Sequence, residues 1–421
     1  MSLFRSGTIL FIASMIGNLS SYFFQFFMGR YLSIEDYGAM NAVFSLMTVV
    51  AIPAGTITLV VAKYISVFKA KEEEGKITAL YRNSLLNMTG VGALFFLPFL
   101  IFNAPITSYL KIYNGWPIII IGVGIFLSFI VTVNLGMLQG LQSFYYLGAG
   151  MGLGGFLRLI FGVILILLGF GLNGAVAAPV LSALFIAALT IIPLSAYLKK
   201  QEIYGKNTRD ILLYSVPVLL STFAFTIITN IDLIIVKHLF TPEDAGLYAA
   251  TVILGKTILY LPGALVLVLF PMVSESHALN GDSFKILEKG LMYTVIISLA
   301  GVFGFLLFPE LAIKMLYGKK FIAAAPFLKF YGLAMMFMAI ISILISFNLA
   351  RHRNDFIYTL VAGCIVLAVL LHFFHNSLST VIFIITAVNL CLVAVNLLMV
   401  YQDRKEFYRI RKMEIEDVKA I

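Results

Sequence analysis

The sequence predicts an all-α integral membrane protein of about twelve transmembrane helices, arranged as two six-helix bundles that repeat in parallel. Three observations predict this fold. Hydrophobic residues make up 61% of the 421 residues and charged residues only 12%, against roughly 25% charged in ordinary soluble proteins. The apolar residues fall in long continuous runs, and one polar six-residue pattern occurs once in each half of the chain.

Each apolar run is long enough for a helix to cross the hydrocarbon core, which takes about 20 residues. Continuous rather than alternating hydrophobicity indicates helices instead of barrel strands. The twelve predicted spans are Ser6–Tyr31, Glu35–Val67, Ile77–Phe102, Trp116–Gln139, Phe144–Phe170, Asn173–Leu198, Asp210–His238, Pro242–Ser274, Ile286–Phe308, Ala324–Ala350, Phe356–His372 and Leu378–Tyr401. A cleaved signal peptide is the alternative for the first run. Its length and the lack of a small-residue cleavage site favour a retained span.

The positions of the basic residues predict the orientation. The net charge of +9 would also suit a nucleic-acid-binding protein. With the amino terminus inside, however, the cytoplasmic connections and termini hold nineteen Lys and Arg residues, and the outer connections hold six. The outer six are Arg30, Lys111, Lys237, Lys314, Lys319 and Lys320. This is the positive-inside bias. We therefore expect a multi-pass protein of the cytoplasmic membrane with both termini in the cytoplasm, and no nucleic-acid partner.

The repeated pattern divides the chain. Ser33–Gly38 and Thr241–Gly246 both read hydroxyl, any residue, Glu, Asp, any residue, Gly. Six predicted spans separate the copies, so both copies point the same way across the membrane. We expect an N-terminal lobe over 1–200, a C-terminal lobe over 201–402, and a charged cytoplasmic tail over 403–421. The lobes are predicted to be parallel repeats, and the tail a solvated or membrane-surface helix whose basic residues face anionic lipid.

Each copy of the pattern has the features of a helix start. Ser33 and Thr241 are good N-caps, and Pro242 suits the first helical position. The acids that follow favour the positive end of a helix dipole. The pair Glu35–Asp36 has a catalytic alternative, metal binding in a membrane glycosyltransferase. Because Glu243–Asp244 repeats the pair with the same cap, we favour the structural interpretation.

Three prolines predict bends within the spans. Pro53 and Pro262 occur in the helix after each repeated turn, one residue out of step, and Pro217 lies in the first helix of the second lobe. Proline removes a hydrogen bond from the helix ladder. Interruptions at corresponding places in two halves point to the substrate path. We therefore predict that these three prolines are hinges.

Three stretches carry a family resemblance: GRYLSIEDYGAMNAVFSLMTVVAIPAG (29–55), NIDLIIVKHLFTPEDAGLYAATVILGKTILYLPGALVLVLFPMVSE (230–275) and MLYGKKFIAAAPFLKFYGLA (315–334). The chain resembles polysaccharide-biosynthesis flippases of the multidrug/oligosaccharidyl-lipid/polysaccharide exporter superfamily, from Leu3 to about Tyr401. The resemblance implies two bundles in a V around a central cavity. It also implies outward flipping of an isoprenoid-pyrophosphate-linked glycan by alternating access.

Ionisable residues deep in a span are functional candidates because they are costly in lipid. Arg158 and Lys256 each lie about fourteen residues into a span, or about 20 Å from its end at about 1.5 Å per residue. One belongs to each lobe, so together they would make a cavity electropositive and suited to pyrophosphate. The alternative for each is a structural role, in which polar neighbours pair with it and fix its bundle.

Asp232 is the clearest intramembrane acid. We predict either that it couples transport to H⁺ or Na⁺, or that it pairs with a nearby cation such as Lys237. Arg30 and Lys63 complete the candidate substrate-binding residues. Both are near the ends of spans and can extend their charges to the interface without any functional role, an alternative that we favour for Lys63.

Three functions are consistent with these features. The first is a flippase for a lipid-linked oligosaccharide or polysaccharide precursor, working without covalent chemistry. The second is a cation-coupled multidrug exporter of the same superfamily, although the first span lacks the carboxylate that such a cavity would need. The third is a membrane enzyme, which would need a larger outer loop than the one near 309–321. We expect membrane lipid and the glycan lipid as partners, no cofactor or metal, and a monomer.

Overall fold

A computed structural model describes residues 3–198, 208–279 and 281–420 of the chain. The first eight helices are α1 (Leu3–Tyr31), α2 (Ile34–Val50), α3 (Ile52–Ala70), α4 (Glu74–Ile101), α5 (Asn103–Tyr109), α6 (Trp116–Gly140), α7 (Phe144–Leu167) and α8 (Gly171–Leu194). The next eight are α9 (Thr208–Leu239), α10 (Pro242–Tyr260), α11 (Gly263–Ala278), α12 (Ser283–Leu307), α13 (Pro309–Tyr317), α14 (Ala325–Ala350), α15 (Asp355–Phe373) and α16 (Leu378–Ala420). Short 3₁₀ turns occupy Ser195–Leu198 and Lys319–Ala324.

The prediction of an all-α membrane protein is confirmed. Over the described ranges there is no β-strand, and eleven helices are long and apolar enough to cross a membrane. Ten predicted spans each correspond to one helix. The second and eighth are each broken in two, and neither half of the eighth, α10 or α11, is among the eleven. The predicted boundary between the lobes, at 200–201, lies outside the described residues.

The two broken spans are interrupted at the predicted prolines. α2 ends before Ala51 and α3 starts at Ile52, with Pro53 in its first turn. α10 ends at Tyr260, and Pro262 precedes α11. A proline in the first turn of a new helix removes an N–H that has no partner there anyway, which explains why the chain restarts a helix at these points. α9 runs through Pro217 without a break, and the side chain of this residue is outside those described.

The described residues group into two compact units. The first comprises Met1–Thr226, Leu233–Ala250 and Lys314–Phe321, and the second comprises Ile227–Asp232, Thr251–Ile313 and Ile322–Ile421. Three segments of the predicted second lobe, 208–226, 233–250 and 314–321, therefore pack with the first unit. Because one of them carries Thr241–Gly246, both copies of the repeated pattern lie in the same unit.

The predicted caps are confirmed in both copies. The Oγ of Ser33 accepts a hydrogen bond of 3.1 Å from the backbone N–H of Asp36 at the start of α2. The Oγ1 of Thr241 likewise accepts one of 3.1 Å from Asp244. The Thr241 hydroxyl also donates to the Asp244 carboxylate at 2.7 Å. Each side chain thus satisfies one of the backbone donors that a helix start leaves unpaired.

The glycine that ends each copy has a separate role. A Cβ atom on Gly38 would lie 2.7 Å from the backbone nitrogen of Gly246, and one on Gly246 would lie 2.0 Å from the carbonyl oxygen of Ile34. The two repeated turns therefore pack directly on each other, backbone to backbone. Only residues without a side chain permit so close an approach.

A buried chain of hydrogen bonds joins three helices of the first unit. The Tyr81 hydroxyl of α4 donates to the Asn134 side chain of α6 at 2.9 Å. Asn134 in turn donates to the Thr190 hydroxyl of α8 at 3.0 Å, and Thr190 donates to the Ile186 carbonyl at 2.7 Å. Every member has a partner, so the chain links three helices without leaving a polar group unsatisfied.

The predicted tail is the end of α16, which runs unbroken from Leu378 to Ala420. The side chains described in this tail contact other residues of the protein rather than only solvent or lipid. The Tyr408 hydroxyl donates to Asp282 at 2.7 Å, and Arg404 pairs with Glu288. Within the second unit, α16 is thereby attached to the first turns of α12. The side chains beyond Arg409 are outside those described.

Asp403 of α16 adds a second attachment. Its carboxylate lies 2.8 Å from Arg353 and 3.6 Å from Arg351, and the Arg351 guanidinium lies 4.5 Å from the Phe284 ring centroid of α12. The side chains of Arg351 and Asp403 are 9% and 11% exposed. This ion pair is therefore shielded from solvent screening.

The glycine contact predicts a stability difference. Gly246→Ala places its Cβ against the Ile34 carbonyl, and overpacking of this kind costs about 1–3 kcal/mol of unfolding free energy. Gly304→Ala in α12 is the matched control, because no atom lies within 4 Å of its Cβ. The control should gain about 0.5–1 kcal/mol from the lost flexibility of glycine. Thermal unfolding in detergent measures both, and an equal rise for the two variants contradicts the contact.

The tail attachment predicts a second contrast, because Asp403 and Asp355 both pair with Arg353. Asp403→Ala leaves the nearly buried Arg351 without its counter-charge and should cost about 3 kcal/mol. Asp355 is 59% exposed, so Asp355→Ala should lower the free energy of unfolding by less than about 1 kcal/mol. Unfolding midpoints of the two variants test this. Equal losses would mean that the Asp403 pair contributes no more than a surface pair.

Candidate functional site: ionisable side chains inside the membrane

Arg158 lies where α7 touches α1. A Cβ on Gly155 would be 2.2 Å from the carbonyl oxygen of Gly17, so the two backbones are in direct contact there. One turn further along α7, the Arg158 guanidinium lies 5.0 Å from the ring centroid of Phe24 on α1. Gly155 therefore permits close packing of α7 on α1.

The Arg158 guanidinium is not fully satisfied. The side chain is half-buried, and its Nε has no hydrogen-bond partner among the described residues. The Phe24 ring supplies a cation–π contact, but buried N–H donors are normally hydrogen-bonded as well. Arg158 therefore retains a donor that an anionic oxygen would satisfy.

Lys256 of α10 is buried, with 6% exposure. Its Nζ donates a hydrogen bond of 3.0 Å to the Oδ1 of Asn230 on α9. Its charge also interacts with that of Asp232. Asn230 precedes Asp232 by two residues, about 3 Å along a helix axis. The long lysine stem thus brings the ammonium to the level of the acid.

Asp232 is 1% exposed. Its Oδ2 accepts a hydrogen bond of 2.9 Å from the hydroxyl of Tyr331 on α14. Gly255, next to Lys256, permits this, because a Cβ there would lie 2.5 Å from the Tyr331 ring. The parts of α9, α10 and α14 that belong to the second unit therefore converge on one group of polar side chains. We call this group the buried quartet; it consists of the buried Asp232, Lys256 and Tyr331 and the half-buried Asn230.

Lys237, which the sequence suggests as a partner of Asp232, interacts with other charged residues. It lies in the last turn of α9, is 1% exposed, and interacts electrostatically with Asp36, Glu35 and Lys111 of the first unit. The acids of the first repeated turn therefore face a buried cation, which is a structural use for them. The described interactions of Asp232 are instead with Tyr331 and Lys256.

Arg30 and Lys63 are both exposed. Arg30 ends α1 and donates through Nη2 to the Met315 carbonyl at 2.5 Å and through Nε to the Leu316 carbonyl at 3.3 Å. These carbonyls belong to the last turn of α13, where a cation is favourable to the helix dipole. The Nζ of Lys63 lies 5.9 Å from the Tyr64 ring centroid.

The structure brings Asp232 and Lys256 together, whereas Arg158 belongs to the other unit. A cavity shared by Arg158 and Lys256 therefore stays a prediction. Sequence reasoning missed Asn230 and Tyr331. Asn230 could have been noticed as a second polar residue one half-turn from Asp232, but Tyr331 is one of 20 tyrosines with no local signal.

The first unit also contains an apolar cavity of about 720 Å³. Its lining comes from α2, α4, α5 and α9, and Tyr109 supplies the only hydroxyl; the lining residues are Leu46, Val50, Leu94, Phe95, Pro98, Phe99, Pro105, Ile106, Tyr109, Leu110 and Ile234. Ligand pockets of proteins commonly measure about 300–1,000 Å³. A hydrocarbon chain is the ligand type that matches this lining.

Comparison with solved structures identifies the fold. An inward-facing multidrug resistance MATE family transporter of the MOP superfamily superposes with a TM-score of 0.77 at 14% identity, over 95% of this chain and 96% of that one. The lipid II flippase MurJ in an inward closed conformation superposes with a TM-score of 0.71 at 14% identity, over 94% and 87% of the two chains. These similarities show that the fold is that of membrane transporters of this superfamily.

Sequence comparison gives the family. An uncharacterised membrane protein of Methanocaldococcus jannaschii is 22% identical over 330 residues, covering 74% of this chain and 76% of that one. The model of the family described as polysaccharide biosynthesis protein matches residues 3–277. That match spans well over half of the chain and includes both repeated turns, Arg158 and most of the buried quartet. The resemblance noted in the sequence is confirmed: the chain belongs to the polysaccharide biosynthesis protein family.

Proposed function

We propose that the protein flips an isoprenoid-(pyro)phosphate-linked oligosaccharide or polysaccharide precursor from the cytoplasmic to the outer leaflet by alternating access. Family membership and the transporter fold support a role in moving such a precursor. The observation that carries the proposal is the Arg158 guanidinium, whose Nε at mid-span has no hydrogen-bond partner among the described residues. A phosphate oxygen is the acceptor that a guanidinium binds best.

Lys256 is the second proposed contact to the pyrophosphate. In the described state its ammonium is engaged by Asn230 and by the charge of Asp232. A substrate anion therefore competes with Asp232 for the same cation. This competition gives a physical link between ion binding and substrate binding.

Asp232 is the proposed coupling residue for H⁺ or Na⁺. A proton or Na⁺ on its carboxylate cancels the negative charge beside Lys256 and leaves the ammonium available to an anion. Loss of the ion restores the internal pair and favours release of the anion. The Tyr331 hydroxyl orients the carboxylate through its hydrogen bond of 2.9 Å.

The remaining candidates have supporting parts in this proposal. The helix breaks at Pro53 and Pro262 are the places where bundles would bend during alternating access, and Pro217 is the third proposed hinge. Arg30 and Lys63 are proposed contacts of the head group near the two ends of the path. The apolar cavity of about 720 Å³ would hold part of the isoprenoid chain.

The alternative is a cation-coupled multidrug exporter. Its supporting observation is the buried carboxylate of Asp232, a group that can attract a cationic drug. Lys256 opposes that use, because a neighbouring ammonium repels a cationic ligand. Uptake of a cationic dye into proteoliposomes, measured beside glycan-lipid flipping, separates the two functions.

Removal of the two cations should stop flipping. Arg158→Ala and Lys256→Ala each delete a charge-assisted hydrogen bond worth about 1.5–3 kcal/mol, so each should slow flipping by at least about tenfold. The assay follows a fluorescent prenyl-pyrophosphate-linked saccharide in proteoliposomes, using a membrane-impermeant reductant. Lys289→Ala, which removes an exposed lysine of α12, is the control. Undiminished flipping by the double variant would refute the proposed contacts.

Asp232→Asn should uncouple transport. In proteoliposomes with an imposed pH or Na⁺ gradient, we expect the wild type to respond to one of the two gradients. Asp232→Asn should respond to neither, because its amide cannot gain or lose the charge. Tyr331→Phe retains the carboxylate and should keep a weakened response, while Asp355→Asn, at the exposed pair with Arg353, should behave as the wild type. A wild-type gradient response in Asp232→Asn would remove the residue from the coupling role.

A further inference from the structure

A second cluster of positive charge lies at the end of α13 in the first unit. Here a cavity of about 420 Å³ is lined by Arg30, Lys314, Tyr317, Gly318, Lys319 and Lys320. We call it the basic pocket. Four of its six lining residues carry a positive charge and none carries a negative one.

The local sequence builds this pocket by ending a helix among lysines. α13 ends at Tyr317, and Gly318 adopts a φ of +89°, a conformation suited to glycine. Its N–H closes the helix on the Lys314 carbonyl at 3.1 Å. The bend places Lys314 before it and Lys319 after it around the same space. A Cβ on Gly318 would have no atom within 4 Å, so the space beside the bend is open.

Two of the cations join the walls of the pocket. Arg30, at the end of α1, donates to the carbonyls of Met315 and Leu316. In the opposite direction, Lys320 donates to the Arg30 carbonyl at 3.0 Å and to the Leu32 carbonyl. The ends of α1 and α13 are thereby held together.

Tyr317 provides a rigid base for the pocket. Its ring is fully buried and lies 5.6 Å from the Tyr37 ring and 5.6 Å from the Phe321 ring, centroid to centroid. Gly29 on α1 makes room for it, since a Cβ there would lie 2.3 Å from the Tyr317 ring. This packing fixes the backbone at Tyr317, from which the neighbouring lysine side chains extend.

The other two cations have no partner in the described part of the chain. The side chains of Lys314 and Lys319 are exposed, and neither side chain makes a hydrogen bond or an ion pair with a described residue. Like charges around a small space repel one another, and a bound anion would relieve this repulsion. Arg30 also has N–H groups left after its two backbone contacts, because a guanidinium carries five.

The location makes the cluster unusual. In the predicted topology the outer side holds only six Lys and Arg residues, as expected from the positive-inside bias. Four of those six line the basic pocket. Where outer positive charge is scarce, its concentration in one pocket indicates a use for it on that side.

We propose that the basic pocket binds the phosphate or pyrophosphate head group of a lipid in the outer leaflet. The assignment of that lipid as the flipped glycan carrier rests on the proposed function. The pocket would hold the head group at the outer side after translocation. Lys314 and Lys319 would contact the phosphate oxygens, and Arg30 and Lys320 would hold the walls and add positive potential.

The first test maps the site on the wild-type protein in lipid nanodiscs. A water-soluble amine reagent modifies exposed lysines, and mass spectrometry reports each one. A short prenyl pyrophosphate should protect Lys314 and Lys319 at least threefold, and inorganic pyrophosphate should do so only at higher concentration. Lys285 and Lys289 of α12 are the internal control and should not be protected. If neither prenyl pyrophosphate nor inorganic pyrophosphate reduces the labelling of Lys314 and Lys319, the proposal is overturned.

The second test measures affinity by titration calorimetry. The double variant Lys314→Ala/Lys319→Ala should bind prenyl pyrophosphate at least tenfold more weakly than the wild type, and the wild-type affinity should fall as salt is added. Lys285→Ala/Lys289→Ala removes the same charge and should bind as the wild type. Equal affinity of the wild type for inorganic and prenyl pyrophosphate would overturn the assignment to a lipid, because a soluble anion would then suffice.

The outcome is separable from that of the proposed function. If the wild type does not flip the glycan lipid but Lys314 and Lys319 are protected, the proposed function fails and the pocket stands. If flipping occurs and protection does not, the pocket fails and the proposed function stands.

Discussion

The absence of water from the hydrocarbon core is the constraint on which the rest of this structure depends. Every polar group that the chain carries into that layer needs a partner within the protein. Asp232 meets the requirement through Tyr331, and Lys256 meets it through Asn230. The Nε of Arg158 does not meet it among the described residues. This difference distinguishes Arg158 from Asp232 and Lys256, and it is the main reason to propose substrate binding at Arg158.

Close approach of backbones is the second requirement, and glycine meets it at each important contact. Gly155 lets α7 touch α1 and so positions Arg158, Gly255 lets the Tyr331 ring reach Asp232, and Gly38 meets Gly246 where the two repeated turns pack. In lipid there is little hydrophobic drive between helices, so packing and polar contacts decide which surfaces meet. The functional side chains are therefore positioned by residues that have no side chain of their own.

Positive charge connects the proposed function with the further inference. Arg158 and Lys256 are at mid-span, and the basic pocket lies at the end of α1 and α13, yet both groups suit the same chemistry, a phosphate or pyrophosphate carried by a lipid. The two differ in how the charge is balanced. The Lys256 ammonium interacts electrostatically with Asp232, and in the proposed function an ion on Asp232 controls it, whereas the side chains of Lys314 and Lys319 have no partner among the described residues. This arrangement is consistent with ion-controlled binding of the lipid phosphate at mid-span and with retention of the same head group in the basic pocket after translocation.

The sequence by itself determined the membrane class, the positions of the helices, the caps at Ser33 and Thr241 and the breaks near Pro53 and Pro262, because each depends on residues within one span or one turn. It also identified Arg158, Lys256 and Asp232, since a charge within an apolar run is visible without a structure. Only the tertiary structure decided that Tyr331, 99 residues away, binds Asp232, that the two repeated turns meet through their glycines, and that the described part of the tail binds α12. Those contacts depend on the tilt and rotation of each helix about its axis, and a nearly uniform apolar surface does not encode either one.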